Sequence, residues 1–256
     1  MLLIEFVSYI CLGAIVGGLV GAVGVGGGAL MTPALLFTGI PIHIAVGTDL
    51  LYAAMTKLSG TVAHWRRGHI AWRPLSLLAF GSIPATMITL VLISHTPVGT
   101  FAAIVPPLLG FALIATGLTV ILVPKARTSD HQAYPAIYTV LAGTMLGFLV
   151  TITSVGAGAI GAAILLLLTP RLTGARVVGT DVAHAAPLAL IGGLGYAYHG
   201  YTDWWVLLAL LTGSIPAAHL GARLTELVPN QQMRRIIAWL LLVVGATTAA
   251  TAAGLR

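Results

Sequence analysis

Two aspartates lie inside apolar stretches, each closing the same tetrad: Val46-Gly47-Thr48-Asp49 and Val178-Gly179-Thr180-Asp181. A carboxylate in such a setting is costly to keep, and it usually binds a ligand, relays protons or caps a helix. Capping is open to both, since Thr48-Asp49 and Thr180-Asp181 can serve a helix broken at Gly47 or Gly179. Their basic neighbours differ. His184 follows Asp181 at i+3 on one helical face, where Tyr52 follows Asp49. Lys57, two turns beyond Asp49, has Ala189 as its counterpart. Its ammonium can pair with Asp49, attract an anion, or snorkel toward a membrane surface.

Glycine runs supply a second kind of chemistry. Gly24-Val25-Gly26-Gly27-Gly28 and Gly156-Ala157-Gly158 each precede a short apolar segment, and Thr151, Thr153 and Ser154 stand just before the second. Such runs free backbone N–H groups, and the helix that follows presents its partial positive end. Two such ends converging at membrane depth make an anion site without a lysine. Close helix packing is the competing reading, and it suffices for Gly13, Gly17 and Gly21, spaced four apart. A dinucleotide fingerprint is excluded, because neither a strand nor a βαβ unit surrounds the glycines.

The candidate substrate-binding residues are therefore Gly26, Gly27, Gly28, Thr48, Ser154, Gly156, Gly158 and Thr180. Asp49, Lys57, Asp181 and His184 are the candidate coupling residues, with Asp49 set against Lys57 and Asp181 set with His184. An anion approaching either carboxylate is repelled unless that group is protonated, so proton coupling follows from the same arrangement. His219 is a weaker lining candidate.

These residues need elements to hold them, and composition says which kind. Of the 256 residues, 58% are hydrophobic and 7% charged, and mean hydropathy is +1.03. A soluble core cannot absorb so many apolar stretches, so the chain is a polytopic membrane protein. The N-terminus lacks a basic region and a cleavage site, which predicts a retained first segment. The single cysteine, Cys11, reads as a small packing residue inside an apolar helix.

Ten apolar segments are expected, about 4–23, 28–38, 44–63, 74–94 and 99–123, then 134–153, 157–169, 177–198, 204–222 and 235–253. The second and seventh are too short to cross ~30 Å of hydrocarbon, which predicts half-helices. Ten of the 12 basic residues fall in loops on one side, so the net charge of +6 reflects orientation and not a nucleic-acid partner. That places both termini in the periplasm of a cell inner membrane. Pro84, Pro216 and Pro106-Pro107 are expected to kink or break their helices, and Tyr196, Tyr198, Tyr201, Trp204 and Trp205 to form an aromatic belt.

The two halves are copies. Residues 45–85 aligned on 177–217 share 17 identities in 41 positions, among them Gly81-Ser82-Ile83-Pro84-Ala85 with Gly213-Ser214-Ile215-Pro216-Ala217. Five segments per copy is an odd number, so the second copy inserts upside down. The basic loop Arg66–Arg73 agrees, since its counterpart at 198–205 has no Lys or Arg. The expectation is an all-α membrane protein of two inverted-topology repeats, 1–124 and 134–256, joined by a cytoplasmic linker at 125–133. Each repeat is a broken-helix hairpin followed by three spanning helices.

At these residues the chain resembles the sulfite exporter TauE/SafE family of membrane permeases. The features that carry the resemblance are Gly26-Gly27-Gly28-Ala29-Leu30-Met31-Thr32-Pro33 with Ala45-Val46-Gly47-Thr48, and Gly156-Ala157-Gly158-Ala159 with Val178-Gly179-Thr180. It covers essentially the whole chain. Two departures stand out: acids follow both Gly-Thr pairs, and Ala163 occupies the place of the second proline. The resemblance implies a secondary transporter that exports a small sulfur oxyanion such as sulfite or an organosulfonate.

The expected partners are a small anionic substrate, the lipid bilayer and a coupling proton, with a homodimer left open. No cofactor, metal, nucleic acid or catalytic residue is expected. A cation-binding permease using Asp49 and Asp181 is the alternative transporter, and a membrane scaffold the alternative outside transport.

Overall fold

The computed structural model describes residues 2–23, 28–122, 134–224, 230–252 and 254, and ten helices and no strand are found among them. They are α1 (Leu2–Val23), α2 (Gly28–Phe37), α3 (Ile42–Arg66), α4 (Trp72–Ser94) and α5 (Val98–Leu122), then α6 (Ala136–Thr153), α7 (Ala159–Leu168), α8 (Gly174–Tyr198), α9 (Trp204–Leu224) and α10 (Asn230–Ala252). Each expected segment has its helix. The linker expected at 125–133 lies outside the described residues.

Length and apolarity sort these helices. Among the described residues α4, α5, α6 and α8 are long and apolar enough to cross a membrane, while α1, α9 and α10 contain shorter apolar stretches. At ten residues each, α2 and α7 rise only about 15 Å. Large apolar side chains face outward, including Phe37, Phe80, Phe111 and Leu167. Such a surface suits hydrocarbon and would aggregate in water.

The centre of the bundle is the pair α3 and α8, whose buried faces carry the acids, Lys57 and His184. They run antiparallel. Gly47 lies against Tyr196 and Tyr201, Gly193 against Leu51, and the Thr61 hydroxyl donates to the Val182 carbonyl. Around them α1 packs on α9, α4 on α6 and α5 on α10.

Exchanging the two sets of five helices leaves this pairing unchanged, and the match extends to single contacts. A side chain at Gly13 would meet the backbone of Leu210, and one at Gly143 that of Leu78. Gly47 abuts Tyr196 and Tyr201 as Gly179 abuts His64 and His69. Small residues thus allow the close backbone approach expected of helices that associate in lipid.

Two structural expectations are corrected. Cys11 lies on the exposed face of α1, not in its packing seam. Tyr196 is 1% exposed and donates its hydroxyl to the Thr151 carbonyl, whereas Tyr198, Trp204 and Trp205 are exposed. Burial of Tyr196 follows from its place opposite Gly47, which leaves room for a ring. Of the kink or break expected at the prolines, a break does not occur: α4, α5 and α9 run through Pro84, Pro106-Pro107 and Pro216. Neighbouring helices can shelter the backbone groups that a proline leaves unpaired.

Candidate functional site

The site gathers where α3 and α8 meet the half-helices. Asp49 is fully buried, and one carboxylate oxygen accepts from both the backbone N–H and the hydroxyl of Thr32 in α2. Its other oxygen, Oδ1, lies toward Ser154 and has no hydrogen-bond partner of ordinary geometry. Asp181 is 4% exposed and lies toward the backbone N–H of Gly158 at the start of α7. Its Oδ1 is also unpartnered and sits where a side chain on Gly161 would have to go.

Lys57 is within electrostatic reach of both acids. It is 8% exposed, its Nζ donates to the Ala157 carbonyl at 3.0 Å, and it interacts electrostatically with Asp181 first and Asp49 second. Snorkelling to a surface is therefore excluded, and the expected Asp49–Lys57 pair is widened to a trio. The reason is geometric. Lys57 sits near the midpoint of the α3–α8 crossing, where a flexible four-carbon stem reaches the turn between α6 and α7.

That turn is a short rail past the trio. Ser154 ends α6 in the left-handed region, at φ 58° and ψ 2°, and among the described residues it is the one non-glycine there. Gly156 at φ 117° and Gly158 at φ 140° follow, so the chain reverses within a few residues. At φ 140° and ψ −98° Gly158 occupies backbone space closed to other residues. Backbone strain of this kind concentrates at functional sites. Along the rail, Ser154 faces Asp49, Ala157 holds Lys57, and Gly158 holds Asp181.

His184 stands nearby but does not pair with Asp181 as expected. Its Nε2 hydrogen bonds to the Ser82 hydroxyl at 2.8 Å, while Nδ1 is without a partner. Residues at i and i+3 share a face, yet a neighbouring helix offered the ring a nearer partner. The counterpart contact joins Tyr52 to Ser214 at 2.6 Å. Ser82 and Ser214 were legible as repeated residues of the Gly-Ser-Ile-Pro stretch, but their role was not. Thr32 likewise stands in the first glycine motif, where nothing in its spacing marks it as the carboxylate's donor.

Thr48 and Thr180 are placed elsewhere. The Thr48 hydroxyl accepts from the Asp203 N–H, and that of Thr180 from the Ala71 N–H, so each ties its helix to the loop before α9 or α4. Gly28 begins α2, while Gly26 and Gly27 lie outside the described residues, as does the side chain of His219.

Four buried polar atoms in this region lack a hydrogen bond of ordinary geometry: Asp49 Oδ1 and Ser154 Oγ, which face each other, with Asp181 Oδ1 and His184 Nδ1. Buried polar groups are almost always satisfied, so a cluster of exceptions beside a buried ammonium makes this the candidate site.

The sequence model of one protein family, Sulfite exporter TauE/SafE, matches residues 9–248. The chain is 36% identical over 249 residues to the probable membrane transporter protein YjnA of Bacillus subtilis, covering 93% of this chain and 98% of that one. It is 29% identical over 229 residues to the probable membrane transporter protein YdhB of the same organism, covering 87% and 91%. A probable membrane transporter protein of Methanocaldococcus jannaschii is 28% identical over 259 residues, covering 92% of each chain. No solved structure matches the chain.

Proposed function

We propose, from the premise that this chain belongs to the sulfite exporter TauE/SafE family and is a multi-pass membrane transporter, that it exports a small sulfur oxyanion. Sulfite and organosulfonates are the substrate class. The anion binds between the two half-helices at the Lys57 ammonium. The observation that carries this reading is that buried ammonium, held beside unpartnered polar atoms from both halves.

The carboxylates give the binding a condition. Asp49 and Asp181 engage the donors of α2 and α7 that an oxyanion would use. Protonation of either removes the like charge and releases Lys57 toward the substrate. Proton uptake thus admits the anion, and proton loss expels it. The substrate set comprises Gly26, Gly27, Gly28, Ser154, Gly156 and Gly158, and the coupling set Asp49, Lys57, Asp181 and His184. Thr48 and Thr180 brace the helices that carry the acids.

Residues 1–124 and 134–256 act as inverted repeats in an inner membrane, with 125–133 as cytoplasmic linker and both termini periplasmic. The antiparallel α3–α8 pair and the exchange of equivalent contacts support this. In such an architecture, interchange of the two halves' conformations opens a central site to alternate sides. The cation-permease reading has the two bare Oδ1 atoms in its favour. Lys57 weighs against it, because its ammonium already occupies the place of a bound cation.

Proteoliposomes loaded with labelled sulfite, ethanesulfonate or monovalent cations test the reading. Counterflow of the sulfur anions, stimulated by a proton gradient, is the expected result; cation flux without anion flux would overturn it. For the topology, cysteines introduced at positions 68 and 200 should react with impermeant reagent from opposite faces. Labelling of both from one face would end the inverted arrangement.

A further inference from the structure

Away from the central site, a half-open cavity of about 450 Å³ lies between the first turns of α4 and α6 and the end of α7. That size falls within the roughly 300–1,000 Å³ of small-ligand sites. Both charged residues that line it are arginines, Arg73 on α4 and Arg171 just after α7. Its remaining wall is mostly apolar, with Pro74, Leu77 and the ring of Tyr134, and Thr139, 3% exposed, adds a hydroxyl. Two helix N-termini also open here, and their partial positive charge adds to that of the arginines.

The opposite end of the molecule shows that this cavity is not imposed by the repeat. The positions equivalent to Arg73 and Ala136 are Trp205 and Phe6, and there the two rings meet edge to face at 6.2 Å. An aromatic pair stands at one end where the other has a cavity bearing arginine. The repeated scaffold can be closed at this spot, and on the Arg-rich side it is left open.

We propose that this cavity binds the phosphate headgroup of an anionic phospholipid, with Arg73 and Arg171 on the phosphate and the apolar wall against the glycerol and upper acyl chain. The chemistry of the wall decides for a lipid over a free anion. A soluble phosphate gains nothing from Leu77, Pro74 and Tyr134, whereas a lipid covers them. Exposed Trp72 and Tyr138 flank the cavity, the side chains that favour the depth of lipid headgroups. Basic pockets between helices at a membrane's cytoplasmic side take acidic headgroups by the same physics.

The test uses full-length protein in detergent, titrated with phosphatidylglycerol or phosphatidylcholine, with bound lipid counted by native mass spectrometry. Phosphatidylglycerol should be retained selectively, and retention should weaken roughly fivefold for each arginine changed in Arg73→Gln and Arg171→Gln. Arg73→Lys with Arg171→Lys should keep most of the binding, which separates lost charge from lost folding. Arg73→Trp with Ala136→Phe copies the closed end, so it should abolish lipid retention while leaving thermal stability in phosphatidylcholine unchanged. Equal retention of the two lipids, or unchanged retention in both glutamine variants, would overturn the proposal. So would inorganic phosphate stabilising the wild type as strongly as phosphatidylglycerol does, which would make this a soluble-anion site.

Discussion

Asp49 and Asp181 stand 132 positions apart on helices that mirror each other, yet their surroundings differ. Asp49 is pinned by two donors from one residue, the N–H and hydroxyl of Thr32. Asp181 lies toward the backbone N–H of Gly158 and has the stronger share of Lys57. The Asp181 carboxylate fills the space over Gly161, where a side chain would have to stand, whereas the equivalent position in the first half is held by Met31, which is fully buried. One half ties its carboxylate to a threonine, and the other packs it against a glycine. Duplication supplied two equal acids, and a handful of neighbours gave them unequal surroundings.

The largest effect should come from the residue both halves share. Lys57→Met leaves two buried carboxylates without their cation, a change worth about 3–5 kcal/mol when one partner of a buried pair is lost. Transport in proteoliposomes should vanish and the unfolding temperature should fall. Adding Asp181→Asn should restore more of that stability than adding Asp49→Asn, because Lys57 leans toward Asp181. Equal rescue would erase the asymmetry.

Gly161→Ala should come next. Its methyl group would meet Asp181 Oδ1 and displace the carboxylate from the α7 N-terminus. A fall in kcat of about tenfold or more is expected from misplacing a group by an ångström, with expression retained. Met31→Ala on the other side should cost stability, about 2–5 kcal/mol for a buried side chain, and leave the coupling stoichiometry alone.

Asp181→Asn should be gentler and more telling. It should flatten the pH–rate profile of transport while substrate exchange persists, because an amide cannot take up the proton. Asp49→Asn should instead lower stability and substrate affinity, since the contacts with Thr32 are weakened. A wild-type pH profile in Asp181→Asn would reduce that residue to a helix cap.

The smallest effects should lie in the flanking pairs. Tyr52→Phe removes the bond to Ser214, and Ser82→Ala removes the bond to His184. Each should cost about 1 kcal/mol in thermal unfolding. Only Ser82→Ala, which frees the His184 ring, should also shift the pH dependence of transport.

The sequence alone determined the membrane class, the ten helices, the two half-helices and the internal copy. Hydropathy, length and repeated motifs are properties of the linear chain, and the bilayer leaves few ways to satisfy a backbone. It also singled out Asp49, Lys57, Asp181 and His184, because polar residues are conspicuous against so apolar a background. Only the tertiary structure decided their partners. His184 turned to Ser82, 102 positions away, and Lys57 to Ala157, 100 positions away. Such choices depend on where another helix brings a hydroxyl or carbonyl within 3 Å, which no spacing along one helix encodes. The same holds for the arginine-lined cavity, since whether a gap is filled or left open depends on which side chains three separate segments bring to one place.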